Sequence, residues 1–492
     1  MDIRKDSIIN VDIQENISLQ KSLAYYQGKK IVIEGGYAGQ NADIRLKKLR
    51  PLRWEAVLEK VISSPEFVIP PACTDFGRCG GCSFLDLTYE KQLEMKETYV
   101  RNLFRNAKLV YDNFESIIPA PSQFRYRNKM EFSFGDSIKG GELTLGMHER
   151  NRHHNIISLN SCCLVPDDFN KIKNAAEAFF RNLNTPFYNT YTKNGFLRHL
   201  VIRHSVYSSQ ILINLVTTSS GHFDSLSFAE TLLSLKLENK IEGILHTIND
   251  SHSDAVKNQG MKIICGNDFI TEKIHGLSFK VTPFSFFQTN SLGAERLYSR
   301  AFEYIKDMKN RTVFDLYCGT GTITQMAALF SDRVIGVDII RESIDSASVN
   351  AEINNIENCS FICSDVFDAL EKSEDKPDIV ILDPPRSGVG AKTAEKLVTF
   401  EPEIILYISC KPSSLVKDLE TFVSSGYHIT NICPVDMFPN TGHVETCVLL
   451  SKLVPQSHIN VKVEFGEGEG MMPIEGIVKK VEKDKQKKGI VK

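Results

Sequence analysis

The sequence predicts an α/β protein whose C-terminal part is a doubly wound parallel sheet. Three observations predict it. From about residue 281 to 452, short apolar runs such as "TVFDLY", "RVIGVD", "DIVILD" and "IILYIS" alternate with helical segments, which is the pattern of strand–helix–strand units. Acids recur where these runs end. One run leads into a glycine-rich turn, "CGTGT", that opens a helix.

The remaining elements follow in chain order. Residues 1–66 form a small β-rich module, with "KKIVIEGG" and "WEAVLEKVI" as strands. The basic run "RLKKLRPLR" (45–53) lies between them. A solvated face is its simplest explanation, and a nucleic-acid contact strip is the functional one. Residues 67–280 form a central α+β domain. It starts with the Pro-, Gly- and Cys-rich "VIPPACTDFGRCGGCSF", followed by an amphipathic helix from Tyr89 to Arg105 opened by Thr88. Strand-like runs such as "HLVIRH" and "QILINLVTT" then alternate with turns and helices. Residues 281–452 carry the parallel sheet, and 453–492 form a lysine-rich tail. No internal repeat is visible.

Composition excludes several classes. The net charge is −3, so any nucleic-acid contact must come from local patches. No apolar run is long enough to span a bilayer, and "MDIRKDSIIN" lacks the pattern of a signal peptide. A cytoplasmic location is expected, where the 12 cysteines stay reduced. Clustered cysteines are then metal ligands or nucleophiles.

The glycine turn points to a nucleotide-bearing ligand. In "TVFDLYCGTGTIT" (312–324), Gly319 and Gly321 let the backbone approach a ligand, and Thr322 follows into the helix. The third position of a dinucleotide fingerprint is Thr324 rather than glycine. Acid-x-x-x-G-x-G is instead the S-adenosylmethionine turn of Rossmann-like methyltransferases. Asp338 ends the second strand and suits ribose hydroxyls. Asp365 ends the third, near where an adenine amine would lie, and Asp383 ends the fourth. Helix capping explains one or two such acids, but not a whole series.

Cys410, in "ILYISCKPSS", ends the next strand of the same sheet. Most free cysteines are small core residues. A thiol beside a methyl donor suggests a target that is not yet nucleophilic, such as a pyrimidine C5. Thiolate addition at C6 activates that carbon. A base must then remove the C5 proton, and "DMFPNTGHVETCVLL" (436–450) offers Glu445. Earlier in the chain, Cys73, Cys79 and Cys82 form C-x5-C-x2-C. That spacing implies a metal, either zinc or iron–sulfur.

"YISCKPSSLVKDL", "DMFPNTGHVE", "FFQTN", "DLYCGTGT" and "LDPPRSG" together resemble the bacterial RNA uracil-C5 methyltransferases, most closely the iron–sulfur 23S rRNA type. The resemblance runs from about residue 50 to 452. It implies a Rossmann-like class I methyltransferase domain, a shortened TRAM/OB-like barrel and a central RNA-binding domain. Cys410 would be the nucleophile and Glu445 the proton acceptor. Gln288, Tyr317, Asp338 and Asp383 would hold the donor or the target base. Many members carry H-x-H-x-E where this chain has Gly442-His443-Val444-Glu445, so one His is absent. "CTDFGRCGGC" resembles their [4Fe–4S] loop, with Cys162 as fourth ligand and Cys163 a bystander. "FRYRNKMEFSFG" (124–135), with Arg125, Arg127 and Lys129 among aromatics, would face the RNA. The expected partner is RNA rather than DNA or membrane: 23S rRNA first, tRNA uridine-54 as the alternative. A non-catalytic iron–sulfur RNA-binding protein is the reading from another class. A monomer is expected.

Overall fold

The computed structural model describes residues 3–253, 256–306 and 311–453. The tail expected at 453–492 lies, after Leu453, outside the described residues.

Alternating burial builds the N-terminal module. β1 (Ile8–Ser18), β2 (Lys21–Tyr26), β3 (Lys29–Glu34), β4 (Asn41–Leu49) and β5 (Trp54–Ser63) close into a barrel in the order β1-β2-β3-β5-β4. Along β4, Ala42, Ile44 and Leu46 turn inward and their neighbours do not, the period-two signature of a half-buried strand. The barrel is complete, where a shortened one is expected from the sequence. Its first strand is hard to read because only Val11 and Ile13 of β1 are buried. The basic run occupies the outer end of β4 and the turn after it. Arg45 pairs with Glu59 at 2.5 Å, while Lys48 and Arg53 approach Glu55 at 3.4 and 3.5 Å. These neutralised contacts agree with a solvated face.

After α1 (Tyr89–Asn106) and β6 (Tyr111–Phe114), the central sheet forms from seven strands. They are β7 (Lys129–Gly135), β8 (Thr144–Glu149), β9 (Arg152–Ile157), β10 (Leu197–His204), β11 (Gln210–Thr217), β12 (Lys240–Ile248) and β13 (Met261–Gly266). Their order is β13-β12-β11-β10-β7-β8-β9. α2 (Asp167–Asn182) and α3 (Ser225–Leu233) bury Phe169, Phe180 and Phe228 against Phe132 and Phe134 of β7. A hairpin of β14 (Ile270–Ile274) and β15 (Leu277–Val281) leads to α4 (Ser291–Glu303).

The catalytic sheet comprises β16 (Thr312–Leu316), β17 (Arg333–Asp338), β18 (Cys359–Cys363), β19 (Ile379–Leu382), β20 (Ile404–Ser409), β21 (Tyr427–Val435) and β22 (Glu445–Lys452). The linking helices are α5 (Thr322–Ala328), α6 (Arg341–Ile353), α7 (Val366–Lys372), α8 (Ala391–Val398) and α9 (Pro412–Ser424). Strand order is β18-β17-β16-β19-β20-β22-β21-β6. β16 to β20 are parallel, and β22 runs antiparallel to both its neighbours. Every residue of β20 is buried, as expected for a strand covered on both faces. The order reverses between β16 and β19, which makes a crevice at their carboxyl ends.

β6, expected in the central domain, instead pairs parallel with β21 at the edge of this sheet. α1 belongs here too, since Val100 and Phe104 pack into the sheet's core. Its buried face recurs at Gln92, Met95, Lys96, Val100 and Phe104, the three- and four-residue spacing of an amphipathic helix. Lys96 on that face meets Asp436 at 2.6 Å, with both side chains wholly buried. Its Nζ also donates to the Phe438 carbonyl at 3.0 Å.

Removing one member of such a pair strands a buried charge. Lys96→Ala is expected to destabilise the protein by about 3–5 kcal/mol, read by urea denaturation. The double variant Lys96→Met/Asp436→Leu should recover much of that loss. If the single variant is as stable as wild type, the pair is not a structural anchor.

Candidate active site

Cys410 and Glu445 meet through strand register. β20 pairs with β22 so that Ser409 faces Thr446. One step further along the same antiparallel register sets Cys410 opposite Glu445. α9 begins two residues beyond Cys410, with Pro412 in its first turn, where its preset φ suits the helix start. The nucleophile candidate therefore sits between a strand end and a helix N-terminus.

Burial governs the ionisation of this group. It pushes the Glu445 carboxyl up to about 8, with Asp383 adding to the rise and Arg386 opposing it. Asp383, immediately after β19, is pushed up to about 7 by burial. Burial also pushes the Cys410 thiol up to about 11, helped by Glu445 and Asp383 and opposed by Arg386. The resting thiol is thus protonated at neutral pH. His443 is held neutral, down to about 4, by burial and by Arg386. The Arg386 Nη2 lies 3.4 Å from both ring nitrogens of His443. A cavity of about 290 Å³ is lined by Cys410, Arg386, His443 and Tyr99. The β1–β2 turn of the barrel, through Leu19 and Gln20, closes its rim.

The glycine turn lies on the same sheet edge. Tyr317, Gly319 and Gly321 all have positive φ, at 69°, 53° and 76°. A Cβ on Gly321 would come within 2.9 Å of Ala347 and Phe361, so only glycine fits there. Thr322 is buried as the first residue of α5. Asp338 braces the turn: one carboxylate oxygen accepts from the Gly319 N–H at 3.0 Å and the other from the Ile340 N–H at 2.9 Å. Asp365 does something else. It is exposed and caps α7, accepting from the Phe367 N–H at 2.9 Å. Gln288 is fixed at both ends. Its carbonyl accepts from Asn128 at 3.0 Å, and its side chain bonds Tyr298.

Four more residues matter, of which the sequence marks only Asp315, as the acid of the glycine-turn motif. Asp315 is buried, accepts from the Thr324 hydroxyl at 2.5 Å and has a second oxygen, Oδ1, without a hydrogen-bond partner. Burial, with Asp383 and Asp338, pushes it up to about 8. Tyr298 lies fully buried beneath the site, beside Asp383 and Glu445. Arg386 is the cation that opposes the carboxylates. Asn440, at φ 64°, organises the loop before Glu445. It bonds Gln92 through its N–H at 2.8 Å and its side-chain oxygen at 3.0 Å. Its amide donates to the Gln123 carbonyl at 2.8 Å. Its own carbonyl accepts from Ser83 and Phe84.

The thiol loop therefore ends on the catalytic loop, since Ser83 directly follows Cys82. The loop is also held at two other places. Gly80 donates to the His148 carbonyl at 3.3 Å and Arg150 to the Cys82 carbonyl. Cys73 Sγ lies 3.9 Å from the Ser161 carbonyl, next to Cys162 and Cys163. Burial and mutual repulsion push Cys162 up to about 11 and Cys163 to about 12, and raise Cys79 and Cys82 as well. Among the described residues, no group of three or more His, Cys, Asp or Glu is placed to hold a single metal ion.

The segment 124–135 divides. Tyr126 is buried and donates to the Pro439 carbonyl at 2.9 Å, and Met130, Phe132 and Phe134 belong to the core. These rings are not available for stacking. Phe124 is exposed, as is Arg125, which pairs with Asp167 at 2.8 Å. Among the described residues no helix is long and apolar enough to cross a membrane.

Comparison with known proteins agrees with this geometry. Residues 88–453 match the model of the tRNA (uracil-5-)-methyltransferase family. An uncharacterized RNA methyltransferase of Clostridium acetobutylicum is 44% identical over 88% of this chain and 95% of its own. One from Clostridium tetani is 43% identical over 92% and 99%, and one from Thermotoga maritima is 34% identical over 90% and 98%. The fold is similar to that of the Pyrococcus abyssi tRNA (uracil-54, C5)-methyltransferase in complex with S-adenosyl-L-homocysteine. The TM-score is 0.71 at 24% identity, covering 90% of this chain and 99% of that one.

The raised carboxyl of Glu445 has a measurable consequence. The folded state keeps a proton that the unfolded chain releases above about 4.5. Stability contributed by this proton is complete below about pH 4.5 and falls as pH rises to about 8. Glu445→Gln should flatten the decline of urea-denaturation free energy between pH 5 and 8, by up to ~1.4 kcal/mol per pH unit. Equal slopes in variant and wild type would place an ionised Glu445 in the resting protein.

Proposed function

This chain belongs to the tRNA (uracil-5-)-methyltransferase family, and from that premise we propose that it methylates C5 of a uridine in 23S rRNA, with S-adenosylmethionine as donor. One observation carries the mechanism: the register that sets Cys410 opposite Glu445, on the sheet edge that also holds the glycine turn.

The residues suit a cationic donor. Asp315, Asp338, Asp383 and Glu445 share one edge. Beyond burial, Asp383 and Asp338 push the Asp315 carboxyl up, and Asp383 pushes Glu445 up against the opposing Arg386. A sulfonium and an ammonium group would relieve that repulsion. Gly319 and Gly321 would lie against the donor, with Tyr317, Thr322 and Gln288 beside it. Asp338, already bonded to the turn, has lone pairs left for ribose hydroxyls. Asp365 would act mainly by ordering the start of α7.

The chain's own groups then act in sequence. With the cationic donor bound, Glu445 gives its proton to solvent. Cys410 likewise loses its proton to solvent, and its sulfur adds to uracil C6, placing negative charge on the C5 enolate. C5 attacks the donor's methyl group and becomes tetrahedral. Glu445 takes the C5 proton, the C6–S bond breaks and the thiolate leaves. Asp383 is positioned to orient the uracil. A base stacked inside a helix cannot reach the Cys410 thiol, so the uridine must be unpaired or flipped out.

The four thiols Cys73, Cys79, Cys82 and Cys162 are proposed to hold a [4Fe–4S] cluster. They come from segments that hydrogen bonds draw together. A single tetrahedral zinc would need sulfurs ~3.8 Å apart, from its ~2.3 Å bonds, and a multi-iron cluster spreads them wider. Such a cluster supplies a rigid cross-link between these segments, and no methyl-transfer step needs it. The tRNA reading stands as a second one on a specific ground. The fold match to the Pyrococcus abyssi tRNA enzyme spans 90% of this chain, which cannot be reached without the barrel. The barrel therefore does not distinguish the two substrates.

Covalency and substrate are tested together with 5-fluorouridine-substituted RNA. A persistent adduct with 23S rRNA fragments on a denaturing gel is expected, lost in Cys410→Ala. An adduct with tRNA alone would move the substrate to tRNA. Glu445→Gln should form the adduct with unmodified uridine and release it several orders of magnitude more slowly. Methylation by Cys410→Ala at the wild-type rate would end this mechanism. Protein purified without oxygen should be brown and contain iron and sulfide, both lost in Cys79→Ser. A colourless zinc protein would overturn the cluster.

A further inference from the structure

A second cavity, of about 870 Å³, opens in the central domain and takes no part in the chemistry above. β7 connects the two sites. Just before its first residue, the Asn128 amide donates to the Gln288 carbonyl at 3.0 Å and to the Ser291 hydroxyl at 2.8 Å. At its far end, Ser133 to Asp136 line the cavity. At ~3.4 Å per residue, Asn128 and Phe134 lie about 20 Å apart. The strand therefore links the edge of the methyl-transfer site to this opening.

The lining has a consistent chemistry. Tyr188 is backed by the Arg198 guanidinium, 4.4 Å from its ring centre. Tyr191 is 70% exposed. It rests on His154 at 4.6 Å between ring centres and bonds its Nε2 through the hydroxyl. Lys139 joins Arg198 as a second cation, and Asp136 is the one carboxylate among the described lining residues. That carboxylate accepts from the Gly140 N–H at 2.8 Å. Arg198 is buried and bonded to the Asn249, Ser251 and Ser253 carbonyls, so it backs Tyr188 while exposed Lys139 is the cation left for a phosphate. An exposed ring, a half-buried one and that lysine match an unpaired base with its phosphate. The cysteine loop supports one wall, because Gly80 donates to the carbonyl of His148, a lining residue.

We infer that this cavity is a second RNA site, taking one unpaired nucleotide of the same RNA whose uridine is offered to Cys410. The inference rests on the RNA-methyltransferase reading and extends it: the enzyme recognises its RNA at two flipped positions held a fixed distance apart. The base stacks on Tyr191 and Tyr188, and Lys139 meets its phosphate.

The test is a mutant cycle between protein and RNA. Affinities of full-length wild type and Tyr191→Ala for 23S rRNA and tRNA hairpins are read by fluorescence anisotropy. Each hairpin is scanned with single abasic substitutions. Tyr191 is exposed, so an unchanged melting temperature is expected. Tyr191→Ala should weaken binding by about 10- to 100-fold. One abasic position away from the target should weaken wild type equally and leave the variant unaffected. At saturating RNA the variant should still form the 5-fluorouridine adduct at wild-type yield. Lys139→Ala should weaken all hairpins alike and lessen the salt dependence. Wild-type affinity in Tyr191→Ala, or additive losses at every abasic position, would overturn the inference. So would tight binding of a free nucleoside monophosphate that Tyr191→Ala abolishes, since that marks a free-nucleotide site. If wild type forms no adduct with any RNA, the methylation reading falls, while the binding cycle still decides the cavity.

Discussion

The buried contact between Lys96 and Asp436 is the constraint on which the rest of the site depends. A charge pair with no exposed surface is costly to assemble and more costly to break, so α1 and the loop after β21 hold one geometry. Asn440, four residues on, extends the same grip to Gln92, Gln123 and the chain beyond Cys82. The loop that delivers Glu445 is thereby clamped from three directions. As the proposed proton acceptor, Glu445 would have to be held close to its target, and this clamp would supply that precision from outside the sheet.

The second organising feature is an excess of negative charge along one edge. Asp315, Asp383 and Glu445 are each pushed toward the protonated state by burial, and Asp383 adds to the rise at the other two. In isolation that is unfavourable. It becomes useful when the ligand is a cation and the catalyst must gain a proton during the reaction. A carboxylate poised near neutrality is a better acceptor than one titrating at its ordinary value. Burial, with Glu445 and Asp383 adding to it, likewise pushes the half-buried Cys410 thiol toward its protonated form, which is the less readily oxidised one.

Local signals were legible in the sequence. Glycines that need positive φ, acids at strand ends and a cysteine before Lys-Pro declare themselves within a few residues of chain. The parallel sheet followed from them, while the facing of Cys410 and Glu445 needed the pairing of β20 with β22. What stayed hidden depends on long-range contact. Nothing in "FPNTGH" marks Asn440 as a hub, because its partners are brought by α1 and the cysteine loop. β1 was obscured by its polar outward face, and β6 by pairing with a strand from the far end of the chain. Asp365 shows that one residue type at one position serves two purposes, capping a helix where ligand binding was expected. Tyr126, Phe132 and Phe134 are core residues for a similar reason: alternation on a strand predicts burial as well as recognition.

The pairing of β6 with β21 also sets an order of events in synthesis. The barrel can close from local hairpins as soon as its strands emerge. α1 and β6 cannot, because β21, which both meet, is translated long after them, and non-local pairing must await it. Through that interval Val100 and Phe104 of α1 have no parallel sheet to pack into. The catalytic loop is fixed only when both ends of the chain have met, so a truncated or stalled chain has a finished barrel and no assembled active site.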